Sequence, residues 1–243
     1  RLALEEALVE RAAERYGPSL RRLRPLLRSA LGRRAWAEAA FVLWAIGGAE
    51  RFRGRLRSSE AAYLRSRELA RRAGDRFGQG YAFLGLGGVT RIMGKLEDSA
   101  RWYARAGRLF RRTDDLFARA YAGCGAANAL RQLGRLREAE TLYRESRALY
   151  SRLGDEVDGA YVDWGLGEVH LRRGELNRAS RRFRHALRRF RICGETRGEV
   201  LAMLSAARAL HARGSTASAE TLFQKGYGLA RRKGIHTHLE TFT

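Results

Sequence analysis

The alternation of apolar and polar positions along this chain has a helical period nested inside a longer one. Gly54, Gly94, Gly134, Gly174 and Gly214 are each 40 residues apart. Nine residues after each glycine stands an aromatic, in the series Tyr63, Tyr103, Tyr143, Phe183 and Phe223. Small residues fall five positions after it (Ser59, Ser99, Ala139, Ala179, Ala219) and twelve after it (Ser66, Ala106, Ser146, Ala186, Gly226). Spacings of three and four place these positions on one face of a helix that begins just past each glycine. The small residues let a neighbouring helix approach, and the aromatic fills the groove between them. Upstream of each glycine lies a first helix, as in YAFLGLGGVTRIM before Gly94 and YVDWGLGEVHLRR before Gly174. These first helices open on Asp75, Asp115, Asp155 and Glu195, where a carboxylate meets exposed amides and the positive end of the helix dipole. The repeat glycine closes the same helix by taking the left-handed conformation.

This phase predicts helix pairs at 35–53 with 55–73, 75–93 with 95–113, 115–133 with 135–153, 155–173 with 175–193, and 195–213 with 215–233. Residues 1–16 and 19–32 are expected to be two further helices capping the N-terminal end, within a segment 1–34, and 234–243 a short tail. The fold class is therefore all-α, a solenoid of about five helix pairs plus the N-terminal helices, expected to act as one unit over 35–233.

The columns resemble the tetratricopeptide repeat. Its pattern of Leu-Gly in the first helix, Gly at the turn, then small, aromatic and small residues reads here as Leu86-Gly87, Gly94, Ser99, Tyr103 and Ala106. It reads again as Leu166-Gly167, Gly174, Ala179, Phe183 and Ala186. The resemblance covers roughly residues 35 to 233 and departs from the family in two ways. The usual proline closing the second helix is absent, and the period is 40 where the family's is about 34. Both departures are similar to the longer-helix variety of bacterial regulators, cargo adaptors and cell-polarity scaffolds, with Leu153-Gly154-Asp155 replacing the proline. The resemblance implies a right-handed superhelix whose first helices line a concave groove, and it leaves the ligand open.

In such a groove the inner stripe of the first helices carries Phe41, Tyr81, Tyr121 and Tyr161, then Trp44 and Trp164. Each of these can equally serve packing between helices. Farther along come Glu168 and Arg208, then Arg51, Arg91, Arg131 and His211, with Gln132 and Arg172 beside them. Asn128 stands where the family uses an asparagine to hold an extended peptide, since an amide donates and accepts at once. With Arg91 and Arg131 it makes only part of a carboxylate clamp. The expected partner is thus a protein or peptide segment of acidic character, held by charge-assisted bonds to arginine and by aromatic contacts.

Composition sharpens one point. With 48 Lys and Arg against 26 Asp and Glu, the formal charge is +22, which favours acidic partners. Much of the excess sits on second helices, at Arg101, Arg105, Arg108, Arg111, Arg112 and through RRFRHALRRFR from Arg181 to Arg191. Coding bias in a GC-rich genome explains an arginine-for-lysine skew without function. The alternative is a convex basic surface for nucleic acid or an anionic membrane. Cys124 and Cys193 lack partners at disulfide or metal spacing and read as reduced thiols, consistent with a cytoplasmic setting. No apolar run is long enough to span a membrane, and RLALEEALVERAAERYG is expected to be helix, not signal peptide or anchor. No catalytic motif, cofactor fingerprint or zinc spacing is present, and His236 with His238 offers two ligands without a third. Binding rather than enzymatic activity is expected.

Overall fold

The repeat glycines take the left-handed conformation foreseen for them, with φ between 74° and 83° at Gly54, Gly94, Gly134, Gly174 and Gly214. Gly74, Gly154 and Gly194 do the same after second helices. In the computed structural model, which describes residues 2–235, these turns separate twelve α-helices, and the described residues contain no strand. They are α1 (Leu2–Ala12), α2 (Tyr16–Gly32), α3 (Trp36–Phe52), α4 (Leu56–Arg72), α5 (Arg76–Ile92), α6 (Leu96–Phe110), α7 (Leu116–Gln132), α8 (Leu136–Leu153), α9 (Glu156–Arg172), α10 (Leu176–Ile192), α11 (Thr196–Ala212) and α12 (Thr216–Arg232). The tail expected at 234–243 lies almost wholly outside the described residues.

The acidic openers act as caps. Asp75 accepts from the Gly78 amide at 2.8 Å, Asp115 from Ala118 at 2.8 Å, Asp155 from Asp158 at 2.9 Å and Glu195 from Gly198 at 3.3 Å. Each satisfies one of the amides that a helix start leaves without an intrahelical acceptor.

The helices fall into two compact units dividing between Ala118 and Arg119. In the first, α3 packs on α4 and also touches α5; in the second, α9 packs on α10 and touches α11. Both units are built on the same seat. The aromatic of the second helix lies on bare backbone of the first, so a Cβ at Gly87 would stand 2.7 Å from the Tyr103 ring and one at Gly167 2.5 Å from Phe183. The following first helix closes on the other side, with Gly85 against Tyr63 and Gly165 against Tyr143. Ser59 and Ser99 donate at 2.7 Å to the carbonyls of Gly47 and Gly87, so the approach leaves those hydroxyls satisfied.

The N-terminal helices keep this register. Ser19 donates to the Ala7 carbonyl at 2.7 Å, forty residues before the Ser59 bond to Gly47. Glu14 and Arg34 have positive φ, 59° and 55°, forty residues before Gly54 and Gly74. Leu23, fully buried, takes the place of Tyr63. The segment is a further copy of the repeat whose glycines and aromatic have been replaced, which is why the columns did not reach it. Its boundaries also differ from expectation: α1 ends at Ala12, and α2 starts at Tyr16 instead of 19. Pro18 sits in the first turn of α2, where no intrahelical amide donor is needed.

A non-glycine residue in the left-handed region costs about 1 kcal/mol. Arg34→Gly is therefore expected to raise the free energy of unfolding by about 0.5–1 kcal/mol in urea denaturation. Arg33→Gly, one residue earlier at φ −82°, should lower it by a similar amount.

Candidate functional site

In the first unit, three of the expected groove residues share one cavity. Phe41, Trp44 and Tyr81 line a space of about 490 Å³ with Phe77, on a floor that includes Ala40, Ser66 and Gly78. The rings form a chain: Phe41 lies 5.6 Å from Trp44, and Trp44 meets Tyr81 edge-on at 6.0 Å. Phe41 and Phe77 are 43% and 51% exposed, so large apolar surface faces solvent at the mouth. The Ser66 hydroxyl donates to the Ala40 carbonyl at 2.7 Å, which keeps the floor from demanding a polar ligand. Two charged residues border the cavity. Asp75 is held as the α5 cap, while Arg11 lies over the Trp44 ring at 4.9 Å. The Arg11 Nε is buried without a hydrogen-bond partner among the described residues. Burial lowers the Arg11 pKa from its ordinary value, the signature of a cation short of counter-charge.

Tyr81 also serves the frame. Its hydroxyl donates to Asp115 at 2.8 Å, and burial followed by that carboxylate pushes its pKa up to about 12. It remains a neutral donor at any ordinary pH. Tyr161 repeats the arrangement in the second unit, donating to Glu195 at 2.9 Å, with its pKa likewise raised by burial and by Glu195.

The polar stripe of the second unit turns inward. Asn128 is buried, and its Oδ1 accepts from the Tyr143 hydroxyl at 2.6 Å. Arg131 is fully buried; its Nε donates to the same hydroxyl at 3.2 Å, and its guanidinium lies over the Trp164 ring at 5.1 Å. Glu168, also buried, stands 3.9 Å from Arg131 and accepts a hydrogen bond from Arg208. Trp164 donates from its indole to Ser205 at 2.9 Å. Arg172, exposed, donates to the Arg131 carbonyl at 3.0 Å, and Gln132 is half-buried beside it. Tyr121 is half-buried and His211 exposed. In the first unit Arg91 is buried, and Arg51, half-buried, lies over Phe52 at 4.9 Å. Much of the stripe read as ligand-facing is thus committed inside the fold, leaving Phe41, Arg172, Arg208 and His211 with outward surface. Arg11 and Phe77 were missed. Arg11 lies upstream of the legible repeats, and Phe77, with Phe117 forty residues on, was a readable apolar pair outside the columns considered.

Among the described residues no helix is long and apolar enough to cross a membrane, and no three His, Cys, Asp or Glu side chains converge as a metal site. His236 and His238 lie outside the described residues.

Paired helices, left-handed glycine turns and aromatic seats define an α-helical repeat protein. Residues 116–191 match the family model of the tetratricopeptide repeat, so this stretch consists of such repeats, and the flanking pairs keep its forty-residue register. Comparison with curated protein sequences gave no match. Among solved structures, BtubC (BKLC) from P. vanneervenii has a similar fold, with TM-score 0.71 and 17% identity over 97% of this chain and 94% of that one. A Rap protein complexed with competence and sporulation factor gives TM-score 0.73 and 13% identity over 95% and 76%. The Rap conjugation gene regulator of plasmid pLS20, in complex with the Phr* peptide, gives 0.68 and 16% over 81% of this chain and 56% of that one. The chain therefore spans just over half of the pLS20 regulator. At these identities the likeness establishes the fold.

The Arg131–Glu168 pair supplies a stability test. Glu168→Leu removes the carboxylate that offsets a buried guanidinium and should cost about 3 kcal/mol in urea denaturation. Adding Arg131→Met should restore much of that loss, because apolar replacement of both partners removes the desolvated charge.

Proposed function

We propose that the chain is a protein-interaction module that captures an acidic partner segment on its first-helix stripe. An aromatic or large aliphatic side chain of that segment enters the cavity of Phe41, Trp44, Phe77 and Tyr81. Arg11 receives a neighbouring carboxylate. The carrying observation is the conjunction at one cavity of exposed aromatics with a cation whose Nε is buried and unsatisfied. Exposed aromatics beside arginine are the usual composition of a binding hot spot. Repeat proteins with this fold include a Rap regulator in complex with a Phr* peptide, which supports the class of partner. The net charge of +22 supports its sign. Such a module works by holding a segment rather than transforming it, as a scaffold or the sensory part of a regulator, in a cytoplasmic setting consistent with two cysteines that form no disulfide.

The nucleic-acid alternative gains less from the geometry. Arginines of the second helices and their turns are matched by acids, as in Arg71 and Arg72 with Glu68, Arg135 with Glu138, and Arg191 with Glu199. This interleaving dilutes the potential that a polyanion would follow.

Selection of twelve-residue peptides from a random display library should enrich an aromatic flanked by Asp or Glu. Phe41→Ala with Phe77→Ala, both on the exposed rim, should weaken the selected peptides at least about tenfold by fluorescence anisotropy. Arg11→Gln should flatten their salt dependence. Enriched peptides indifferent to both variants would contradict the reading.

A further inference from the structure

On the second-helix side of the second unit, a cavity of about 470 Å³ is lined by Arg144, His170, Arg178, Arg181, Arg182 and His185. These residues come from α8, α9 and α10. At its edge lies Asp163, which is 2% exposed and accepts from Arg182 at 2.7 Å and Arg147 at 3.3 Å, with His185 Nδ1 at 3.1 Å. Glu140 stands between Arg144 and Arg173, each at 2.5 Å. Glu175 takes His170 at 2.8 Å and Arg178 at 3.1 Å. Arg181 has neither hydrogen bond nor ion pair among the described residues, although it lines the cavity. The six guanidinium groups of Arg144, Arg147, Arg173, Arg178, Arg181 and Arg182 stand against three carboxylates, a formal local charge of +3 before the two histidines are counted.

The repeat itself shows that Asp163 is not needed for the fold. It stands eleven residues before its glycine, and Arg182 eight residues after it. The same two positions hold Leu43 with Ala62, Phe83 with Trp102, Gly123 with Leu142, and Met203 with Leu222. Phe83 and Trp102 are stacked at 5.6 Å, an apolar contact that closes the helix pair without burying a charge. The fourth copy alone exchanges this contact for a buried carboxylate, which a helix interface gains nothing from unless its charge is used. What Asp163 does is hold two guanidinium groups and an imidazole, drawn from α8 and α10, beside a concave space.

We infer that this cavity binds a compact, multiply charged phosphate group carried by a small molecule, of the class of inorganic pyrophosphate and nucleoside di- or triphosphates. Guanidinium forks held in place, as those of Arg144, Arg178 and Arg182 are, lose little freedom when they close on phosphate oxygens, which favours a doubly charged terminal group over dispersed charge. The volume lies in the range of small-molecule sites, about 300–1,000 Å³. A polynucleotide would meet the three carboxylates as repulsion; a compact anion meets them as the posts that aim the arginines. Arg144, Arg178, Arg181 and Arg182 are the binding residues, and Asp163 is a positioning residue.

The test is isothermal titration of the chain with pyrophosphate and, separately, with ATP, at moderate salt. One saturable site is expected, weakened at least about tenfold by Arg144→Ala with Arg181→Ala, two exposed residues whose loss leaves the core intact. The charge-matched first-unit pair Arg101→Ala with Arg108→Ala, neither of which lines the cavity, should leave affinity within about twofold. Asp163→Asn decides between positioning and bulk charge: it adds net positive charge, yet should weaken pyrophosphate severalfold. Equal affinity for pyrophosphate and ATP assigns recognition to the phosphates alone; tighter ATP adds a nucleoside contact; both support the site. Absence of saturable binding at low salt overturns it. So does equal loss in both arginine pairs, tighter binding by Asp163→Asn, or preferential binding of a single-stranded oligonucleotide that the first-unit pair also weakens.

Discussion

The architecture depends on one contact, an aromatic ring set directly on the backbone of the helix before it. Tyr103 on Gly87 and Phe183 on Gly167 bring second helix to first so closely that a methyl group has no room. Each glycine costs its helix about 1 kcal/mol relative to alanine. The cost is offset by ring burial, with Tyr103 and Phe183 at 3% and 0% exposure. The serine five residues past the turn anchors the same approach, with its hydroxyl on the carbonyl of Gly47 or Gly87. The left-handed glycine fixes where the chain reverses, so Tyr63, Tyr103, Tyr143 and Phe183 arrive buried in register, while Phe223 of the last copy stays exposed and stacks on Tyr227 of its own helix.

Because the frame is fixed by small and aromatic residues, polar positions are free to vary between copies, and the two units use that freedom differently. In the second unit, polar residues of the first-helix stripe close a buried relay from Asn128 through Tyr143 and Arg131 toward Glu168. In the first unit a different part of the stripe, nearer the start of α3, stays apolar and open around Phe41 and Trp44. One repeat thus yields a rigid polar interior and an aromatic cavity from the same backbone. The aromatic cavity is the surface best suited to a partner, since its rings are exposed while the tyrosine hydroxyl beneath them is occupied by Asp115.

Most of the fold was legible because the turn glycines recur in every copy and most of the packing and capping positions keep their residue type. Gly54 and its four successors, the five aromatics, and the acidic caps each declare their role by position. The N-terminal copy was not legible in those terms, because Glu14, Arg34 and Leu23 occupy the special positions and tertiary context holds them in the required geometry. The candidate site was legible in part. Position along a helix reveals which stripe a residue occupies, but not whether a long side chain folds inward. Arg131 and Arg208 were read together, yet one is enclosed beneath Trp164 and the other reaches solvent. The charge network at Asp163 was hidden because its carboxylate and the arginines it gathers are far apart in sequence, and only comparison with Phe83 and Trp102 exposes it as a departure.

The seat of ring on glycine can be tested by the sign of one substitution. Helix propensity alone predicts that Gly87→Ala stabilises the chain by about 1 kcal/mol. The packing described here predicts the reverse, a loss of about 1–3 kcal/mol, because the added Cβ would lie 2.7 Å from the Tyr103 ring near its base. A urea denaturation midpoint that falls in Gly87→Ala supports the account. A midpoint that rises would contradict it.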